Sequence, residues 1–175
     1  AKTGEQVHTL FSFELMNLDG GPWLLSSVVD ITARKQLEEA GARLAAIVES
    51  SFDAIVSTDL QGRVVSWNPN AEQLYECSAS KAIGRPINEL LPPDQDSDEG
   101  EILARVRRGE QVPLGDRVWT KADGTTVDLS IILSPVNDTR GALIGVASIA
   151  RDITARKQLE AALAASEQKW RSVFE

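Results

Sequence analysis

The chain has 175 residues, of which 42% are apolar, and a formal net charge of −8. This length accommodates one complete small domain with flanking segments. The acidic balance argues against nucleic-acid binding, which requires a basic surface, and the sequence contains no apolar run of the roughly 18 residues that a membrane span needs.

The N-terminal part predicts a β-hairpin followed by a helix. Residues 7–15 and 23–29 have the apolar pattern of strands, and residues 19–21 (Asp-Gly-Gly) between them favour a tight turn. From residue 33 to residue 51 the apolar side chains recur at a spacing of three and four, as in an amphipathic helix. Because this apolar stripe is narrow, it also suits pairing with a second helix.

The middle of the chain predicts a second hairpin and a group of helices. The hairpin strands cover residues 54–58 and 63–67. Asn68 is a good N-cap and Pro69 suits the first helical position, so a helix is predicted to begin there. Further helical segments are predicted around Ser80, around Ile87 and over residues 96–109.

The C-terminal part predicts three strands and a last helix. The strands cover residues 114–120, 127–133 and 142–151, and the helix begins near Thr154. The order of all these elements predicts an α+β fold, in which helices cover one face of a five-stranded antiparallel sheet.

A nine-residue segment occurs twice without change. Asp30-Ile-Thr-Ala-Arg-Lys-Gln-Leu-Glu38 reappears as Asp152-Ile-Thr-Ala-Arg-Lys-Gln-Leu-Glu160, which predicts a repeated unit of domain size. In each copy the segment lies where a predicted strand meets a predicted helix. Asp or Thr at such a boundary can bind unpaired amide hydrogens of the first helical turn. Helix caps are therefore predicted at Asp30, Thr32, Asp152 and Thr154.

Several motifs resemble those of the PAS (Per-Arnt-Sim) family. They are the segment from Asp53 to Glu72, Ile83-Gly-Arg-Pro86, Lys121-Ala-Asp-Gly124 and Arg151-Asp-Ile-Thr154. The resemblance implies a PAS fold and a complete PAS domain at residues 43–154. It also implies a tandem PAS array, in which residues 1–32 end a preceding unit. Residues 33–51 and 155–175 are then linker helices, and the second leads to a following PAS or output domain.

The resemblance implies a sensory and signal-relay module of a multidomain protein, of the histidine kinase or cyclic-dinucleotide signalling type. The two Asp-Ile-Thr junctions would set the angle between each sensor core and its outgoing helix. A ligand-free dimerisation scaffold is the alternative. With either function, the narrow apolar stripes of the linker helices favour a homodimer, and the output domain in the same polypeptide is the other expected partner.

The resemblance also places a ligand cavity between the sheet and the helices. The side chains predicted to line it are Ile55, Ser57, Trp67, Ile102, Val106, Leu129, Ile131 and Ile149. Apolar residues at strand and helix spacing equally suit a filled core. The sequence therefore leaves a ligand cavity and a close-packed core as alternatives.

The sequence argues against two cofactors of the family. Cys77, the only cysteine, lies outside the stretch that carries the reactive cysteine of flavin-binding members, and residues 96–109 lack the histidine that ligates haem in others. A noncovalent ligand stays possible. No phosphate-binding loop, zinc spacing or catalytic triad set is evident, so we expect no catalysis and no metal site in this chain. A single cysteine also suits a reducing cytoplasm.

Overall fold

The computed structural model describes residues 6–18, 20–91 and 99–174. The chain forms two compact units, Ala1–Ile47 and Val48–Glu175. The first contains a two-stranded sheet and the second a five-stranded sheet. Helix α1 (Thr32–Glu49) includes residues of both units.

The sheet of the first unit is the predicted N-terminal hairpin. Strands β1 (Thr9–Leu18) and β2 (Gly21–Asp30) pair antiparallel. Gly20 lies in the turn with a φ of +81°, a conformation that glycine adopts without steric cost; Asp19, also predicted in this turn, lies outside the described residues.

Large apolar side chains of this hairpin are exposed. Phe13 is 66% exposed on β1 and Trp23 is 63% exposed on β2. Two strands without a covering layer have little core, and an isolated hairpin is at best marginally stable in water. The hairpin therefore has an apolar surface of the kind that normally packs against further structure.

The second unit contains the predicted five-stranded antiparallel sheet. Its strands are β3 (Ala54–Asp59), β4 (Val64–Trp67), β5 (Val112–Thr120), β6 (Thr126–Asn137) and β7 (Leu143–Asp152). Their order is β4-β3-β7-β6-β5, and every neighbouring pair is antiparallel. The first strand of the unit therefore lies beside the last, which confirms the α+β fold with a five-stranded sheet.

Strands β3 and β7 approach each other closely near one end. A Cβ atom on Gly145 would lie 2.1 Å from the carbonyl oxygen of Thr58. That distance is far below van der Waals contact, so only glycine fits at this position of β7 without moving the backbone.

The helices of the second unit are α2 (Pro69–Tyr75), α3 (Ala79–Ala82), α4 (Ile87–Leu90), α5 (Glu99–Arg107) and α6 (Thr154–Phe174). Helix α2 begins at the predicted N-cap, where the Asn68 side chain accepts a hydrogen bond from the Ala71 amide at 2.9 Å. Helix α5 ends at Arg107, and the predicted helix start at residue 96 lies outside the described residues.

The hydrophobic core lies between the sheet and the short helices. Its members include Val56, Val64 and Trp67 of the sheet and Ala71 and Leu74 of α2. Helix α5 contacts β5 and β6, which lie at the opposite edge of the sheet from β4. Between these two groups of helices the sheet face lines open space, which forms the candidate site.

Candidate ligand cavity and helix junction

A cavity of about 890 Å³ lies within the second unit. Strands β3, β5, β6 and β7 and helices α2, α4 and α5 contribute side chains to its wall. Most of these are apolar, and they include Val56, Val106, Leu133 and Val146. The volume falls in the range of small-molecule sites, roughly 300–1,000 Å³. The cavity is therefore large enough for a small ligand with mainly apolar surface.

Half of the side chains predicted to line the cavity do so. Ile102 and Val106 contribute from α5, and Leu129 and Ile131 contribute from β6. Successive side chains of a strand point to opposite faces, so the alternate positions of β6 provide one continuous apolar strip.

The predicted residues Ile55, Ser57 and Ile149 do not line the cavity. Their neighbours Val56 and Ser148 do, and alternation along β3 and β7 places the predicted residues on the other face of the sheet. Both strands carry small or apolar residues at successive positions. Because that pattern lacks a clear alternation, it does not indicate which set faces inward.

Trp67 is a core residue and is not part of the cavity lining. It is 6% exposed, and its indole Nε1 donates a hydrogen bond to the carbonyl oxygen of Cys77 at 2.9 Å. This contact attaches the end of β4 to the segment after α2. Its ring lies 5.4 Å from the ring of Tyr75.

Tyr75 and Trp119 form an aromatic corner of the cavity. Both line it, and their ring centroids lie 5.3 Å apart in an edge-to-face arrangement at 86°. Burial raises the pKa of Tyr75 to about 12, because a phenolate would be poorly solvated there. The hydroxyl is therefore protonated at neutral pH and is available as a hydrogen-bond donor. No sequence pattern singled out this corner, since the two residues are far apart in the chain.

Arg117 is a charged residue of the lining. It lies opposite Leu129 in the pairing of β5 with β6, two residues before Trp119, so both side chains are on the same face of the strand. Its Nη1 atom donates to the carbonyl oxygen of Asp116 at 3.2 Å. The edge strand thus places a cation beside the aromatic corner.

The junction between β7 and α6 is bound to the neighbouring strand β6 at Asp128. The amide of Ile153 donates to the carbonyl oxygen of Asp128 at 2.8 Å, and the amide of Asp128 donates to Oγ1 of Thr154 at 2.9 Å. Asp152 Oδ1 accepts a hydrogen bond from the Thr154 amide at 2.8 Å. Asp152 therefore binds a helix-terminal amide, whereas Thr154 uses its side chain to bind another strand.

Lys157, in the next turn of α6, extends this junction. Its Nζ atom donates to Oδ1 of Asp128 at 2.9 Å and lies 3.1 Å from Oδ2 of Asp116 on β5. The hydrogen bonds to Asp128 and then to Asp116 raise the pKa of Lys157. The helix is thus attached to two adjacent strands through one ammonium group.

The first copy of the repeated segment forms the same backbone contacts within the first unit. The Ile31 amide donates to the His8 carbonyl oxygen at 2.9 Å, and the His8 amide donates to Thr32 Oγ1 at 2.8 Å. Asp30 Oδ1 accepts from the Thr32 amide at 2.9 Å, and hydrogen bonds from Thr32 lower the pKa of Asp30. His8 therefore takes the place of Asp128.

The ionic contacts of the two junctions differ. Lys35 occupies the position of Lys157 in the repeat, yet its recorded ion pair is with Glu38 of its own helix, at 3.9 Å. The backbone pattern is shared, and the ionic contact between helix and sheet is formed at the second junction.

Asn68 binds the end of α1 to the core. It is 4% exposed; its Oδ1 atom accepts from the amides of Ile55 and Ala71, both at 2.9 Å. Its Nδ2 atom donates to the carbonyl oxygens of Val48 at 3.1 Å and Asp53 at 3.0 Å. One amide side chain therefore holds the entry of the domain, the first strand and the first short helix together.

Within the described residues there is no group of three or more His, Cys, Asp or Glu side chains arranged to hold a metal ion. Across the same described ranges, no helix combines the length and apolar character needed to cross a membrane.

Comparison with known proteins bears on this fold and site. The family model described as the PAS fold matches residues 42–153. The signal transduction histidine-protein kinase AtoS of Escherichia coli is 29% identical over 123 residues, which cover 70% of this chain and 20% of the kinase. The cyclic di-GMP phosphodiesterase PdeB of Shewanella oneidensis is 26% identical over 113 residues, covering 65% of this chain and 13% of that protein.

A solved structure gives a similar result. The PAS domain of a protein from Colwellia psychrerythraea is 32% identical, with a TM-score of 0.57, and the match covers 66% of this chain and 98% of that domain. The chain thus spans a small part of its curated relatives and nearly the whole of the solved domain.

Proposed function

The chain belongs to the PAS family, and we propose that it acts as a sensory and signal-relay module within a larger signal-transduction protein. A ligand or a conformational signal reaches the core of residues 43–154 and leaves through α6. The catalytic step belongs to an output domain elsewhere in the same polypeptide, of histidine kinase or cyclic-dinucleotide type. The homology to AtoS and PdeB supports this class of parent protein.

The observation that carries the proposal is the position of Asp128. The next residue, Leu129, lines the cavity, while the backbone of Asp128 bonds to Ile153 and Thr154 at the start of α6. A ligand that shifts β6 therefore also shifts the groups that hold the helix. Lys157 adds β5, another strand of the cavity wall, to the same junction.

The repeated junction supports a tandem arrangement. In this proposal residues 1–32 are the last hairpin of a preceding PAS unit, and 33–51 and 155–175 are linker helices. The same three backbone contacts follow the hairpin of the first unit and the last hairpin of the second. The exposed apolar hairpin supports this too, since an additional sheet and helices of its own unit would cover it.

A homodimer formed through the linker helices is part of the proposal. Leu37 and Leu44 of α1 are 75% and 66% exposed, and Leu159 and Leu163 of α6 are 72% and 63% exposed. Apolar side chains at such spacing stabilise a helix pair once a second copy covers them. The same observation favours the second candidate function, a ligand-free dimerisation scaffold.

The ligand in this proposal is noncovalent. Cys77 forms a contact with the neighbouring Ser78 carbonyl oxygen at 3.7 Å, and it is not among the cavity-lining residues. We also propose a cytoplasmic setting for this module, in keeping with its single cysteine.

Native mass spectrometry of the freshly purified 175-residue chain tests the sensory function. We expect a stoichiometric small molecule, released on denaturation. Its removal should change hydrogen exchange in the first two turns of α6, because those turns are bound to the cavity strands. A chain that dimerises and carries no small molecule would favour the scaffold, and so would a bound molecule whose removal leaves exchange in α6 unchanged.

A further inference from the structure

We propose that the cavity binds an uncharged, largely apolar molecule with one carbonyl oxygen, and that this oxygen accepts a hydrogen bond from the Tyr75 hydroxyl. This inference rests on the proposed sensory function and names the ligand class for the same cavity.

The Tyr75 ring is held from two sides. Its centroid lies 5.4 Å from the ring of Trp67 in the core and 5.3 Å from the ring of Trp119 in the cavity wall. Trp67 is itself fixed by its hydrogen bond to the Cys77 carbonyl oxygen. Because the C–O bond lies on the axis of the tyrosine ring, these contacts also fix the position of the hydroxyl oxygen. The donor is therefore in place before a ligand binds, which lowers the entropic cost of binding to it.

The Tyr75 hydroxyl has no acceptor in the part of the chain that the structure describes. Over the same residues, no polar side-chain atom is both sealed from solvent and without a partner. The hydroxyl therefore borders open space, and the space that Tyr75 lines is the cavity. Burial raises its pKa to about 12, so the group is a neutral donor at neutral pH. Donors held away from bulk water are normally paired, and a carbonyl oxygen of the ligand supplies the acceptor.

The charged groups of the described lining are engaged within the protein or lie in water. Asp59 accepts two hydrogen bonds from backbone amides of its own turn, at 2.9 and 2.8 Å. Arg117 donates to the Asp116 carbonyl oxygen and has a further interaction within the chain. Arg107 is exposed in the last turn of α5, where water solvates it. An ionised ligand would lose its hydration without gaining an unpaired counter-ion, so the lining favours an uncharged molecule.

The apolar strip of β6 accounts for the body of the ligand. Trp119 lies opposite Val127 in the pairing of β5 with β6. The strip follows two residues later as Leu129, Ile131 and Leu133, which line the cavity in succession. Its four residue steps span roughly 14 Å at about 3.4 Å per residue, and helix α5 adds further apolar side chains to the wall. A body of two fused rings can therefore lie along the strip while its carbonyl group reaches the aromatic corner.

Three naphthalenes of nearly equal shape test the charge and the acceptor. They are the neutral ketone 2-acetylnaphthalene, the hydrocarbon 2-isopropylnaphthalene, which lacks the oxygen, and the anion 2-naphthoate. Each is dialysed to equilibrium against the intact 175-residue chain, and its dissociation constant is obtained from the ligand absorbance on both sides of the membrane. We expect 2-naphthoate to bind about tenfold or more weaker than the ketone, because its carboxylate would be buried without a counter-ion.

A thermodynamic cycle isolates the hydrogen bond. The hydrocarbon gains more than the ketone from leaving water, so the ratio of their affinities in one protein does not measure the hydrogen bond. Tyr75→Phe removes only the hydroxyl, and the change in that ratio between the unmodified chain and the variant isolates its contribution. We expect the ketone to lose about fivefold in affinity relative to the hydrocarbon. In a ketone labelled with carbon-13 at the carbonyl, the resonance of the bound ligand should also move to higher field in the variant, because the carbonyl loses its hydrogen bond.

Two serine variants test the location. Ser148 lines the cavity from β7, and Ser148→Ala removes a different hydroxyl from the wall. This variant should leave the ratio of ketone to hydrocarbon affinity unchanged. Ser57 lies on the opposite face of β3, where its hydroxyl bonds to that of Ser66. Ser57→Ala should leave all three affinities unchanged.

Each component of the proposal can fail separately. An anion that binds as tightly as the ketone would overturn the uncharged class. An unchanged ratio in Tyr75→Phe would overturn the assignment of the carbonyl to Tyr75, and a ratio that falls in Ser148→Ala instead would place the carbonyl at β7. Failure of all three probes to bind would overturn the ligand class. The native mass spectrum tests the sensory function independently, since it detects a bound molecule of any class.

Discussion

Replacing Asn68 by Asp should destabilise the second unit strongly, although the side chain keeps its shape. The introduced carboxyl retains the oxygen that faces the amides of Ile55 and Ala71. It loses the two N–H donors that bind the carbonyl oxygens of Val48 and Asp53. The Val48 carbonyl oxygen keeps a hydrogen bond from the Ser51 amide at 3.3 Å, so the half-buried Asp53 carbonyl oxygen is the acceptor left unpaired, at a cost of about 1–3 kcal/mol. A buried carboxylate that faces these carbonyl oxygens costs about as much again. A charge at the N-terminus of α2 returns about 0.5–1 kcal/mol.

The net loss at pH 7 is therefore about 3 kcal/mol of unfolding free energy, within a range of about 1–5 kcal/mol, and it is measured by urea unfolding with tryptophan fluorescence. Burial beside carbonyl oxygens raises the pKa of the introduced carboxyl above the unfolded value of about 3.9. The folded state then binds its proton more tightly. Stability is recovered below the unfolded pKa and is lost as the pH rises through the folded pKa, so the deficit should shrink near pH 3.5.

Asn70→Asp is the matched control. Asn70 lies in the first turn of the same helix and donates from its side chain to the carbonyl oxygen of Phe52, but it is only half-buried. We expect a loss below about 1 kcal/mol. Equal losses in the two variants, or a deficit at Asn68 that is independent of pH, would contradict the role of the buried Asn68 side chain in holding these segments together.

Three other predictions address the sheet, the cavity and the hairpin. Gly145→Ala should lower the free energy of unfolding by about 3 kcal/mol or more, because the new methyl group would overlap the Thr58 carbonyl. Gly41→Ala is the control: the helix has open space at this position, so the substitution should stabilise the protein slightly. Similar unfolding midpoints for the two variants would contradict this prediction. Tyr75 is the only tyrosine, so phenolate absorbance reports its ionisation alone. The pKa measured in this way should be about 12 in the native protein and about 10 in urea. Because the pKa is higher in the folded state, the contribution of Tyr75 to stability is complete below a pH of about 10 and is lost as the pH rises toward 12. A native midpoint near 10 would place the hydroxyl in water. Deleting residues 1–28 should leave the melting temperature of the second unit nearly unchanged, because the hairpin lies in a separate unit; a large drop would show the hairpin to be integral to that unit.

Local signals in the sequence predicted most of the fold. Asn68-Pro69 marked the start of α2, and Gly20 marked the first turn, because caps and tight turns depend on a few adjacent residues. The order of the elements was enough to predict a five-stranded antiparallel sheet. The orientation of β3 was not predictable, since its apolar and small residues do not alternate cleanly.

The side-chain contacts at the junction of β7 and α6 could not be predicted from the sequence. Thr154 has the residue type of a helix cap, yet its hydroxyl binds Asp128 on another strand. In the sequence, Lys157 has the position of an ordinary exposed lysine on an amphipathic helix. In the folded chain, Asp116 and Asp128 of the sheet lie next to it. Such contacts depend on strand pairing between distant segments, which residue spacing along a single helix does not specify.

The most direct test of the relay is the activity of an attached output domain. The chain is joined through α6 to the kinase portion of AtoS, in place of the homologous segment, and autophosphorylation is measured for Thr154→Ala, Lys157→Met and Arg156→Met. Arg156 adjoins Lys157 but pairs at 3.9 Å with Glu160 of its own helix, so it is the matched control. If the junction transmits the signal, the first two variants change kinase activity about fivefold or more while remaining folded at the assay temperature, and Arg156→Met does not change it. Normal kinase activity in folded Thr154→Ala and Lys157→Met proteins would contradict the relay.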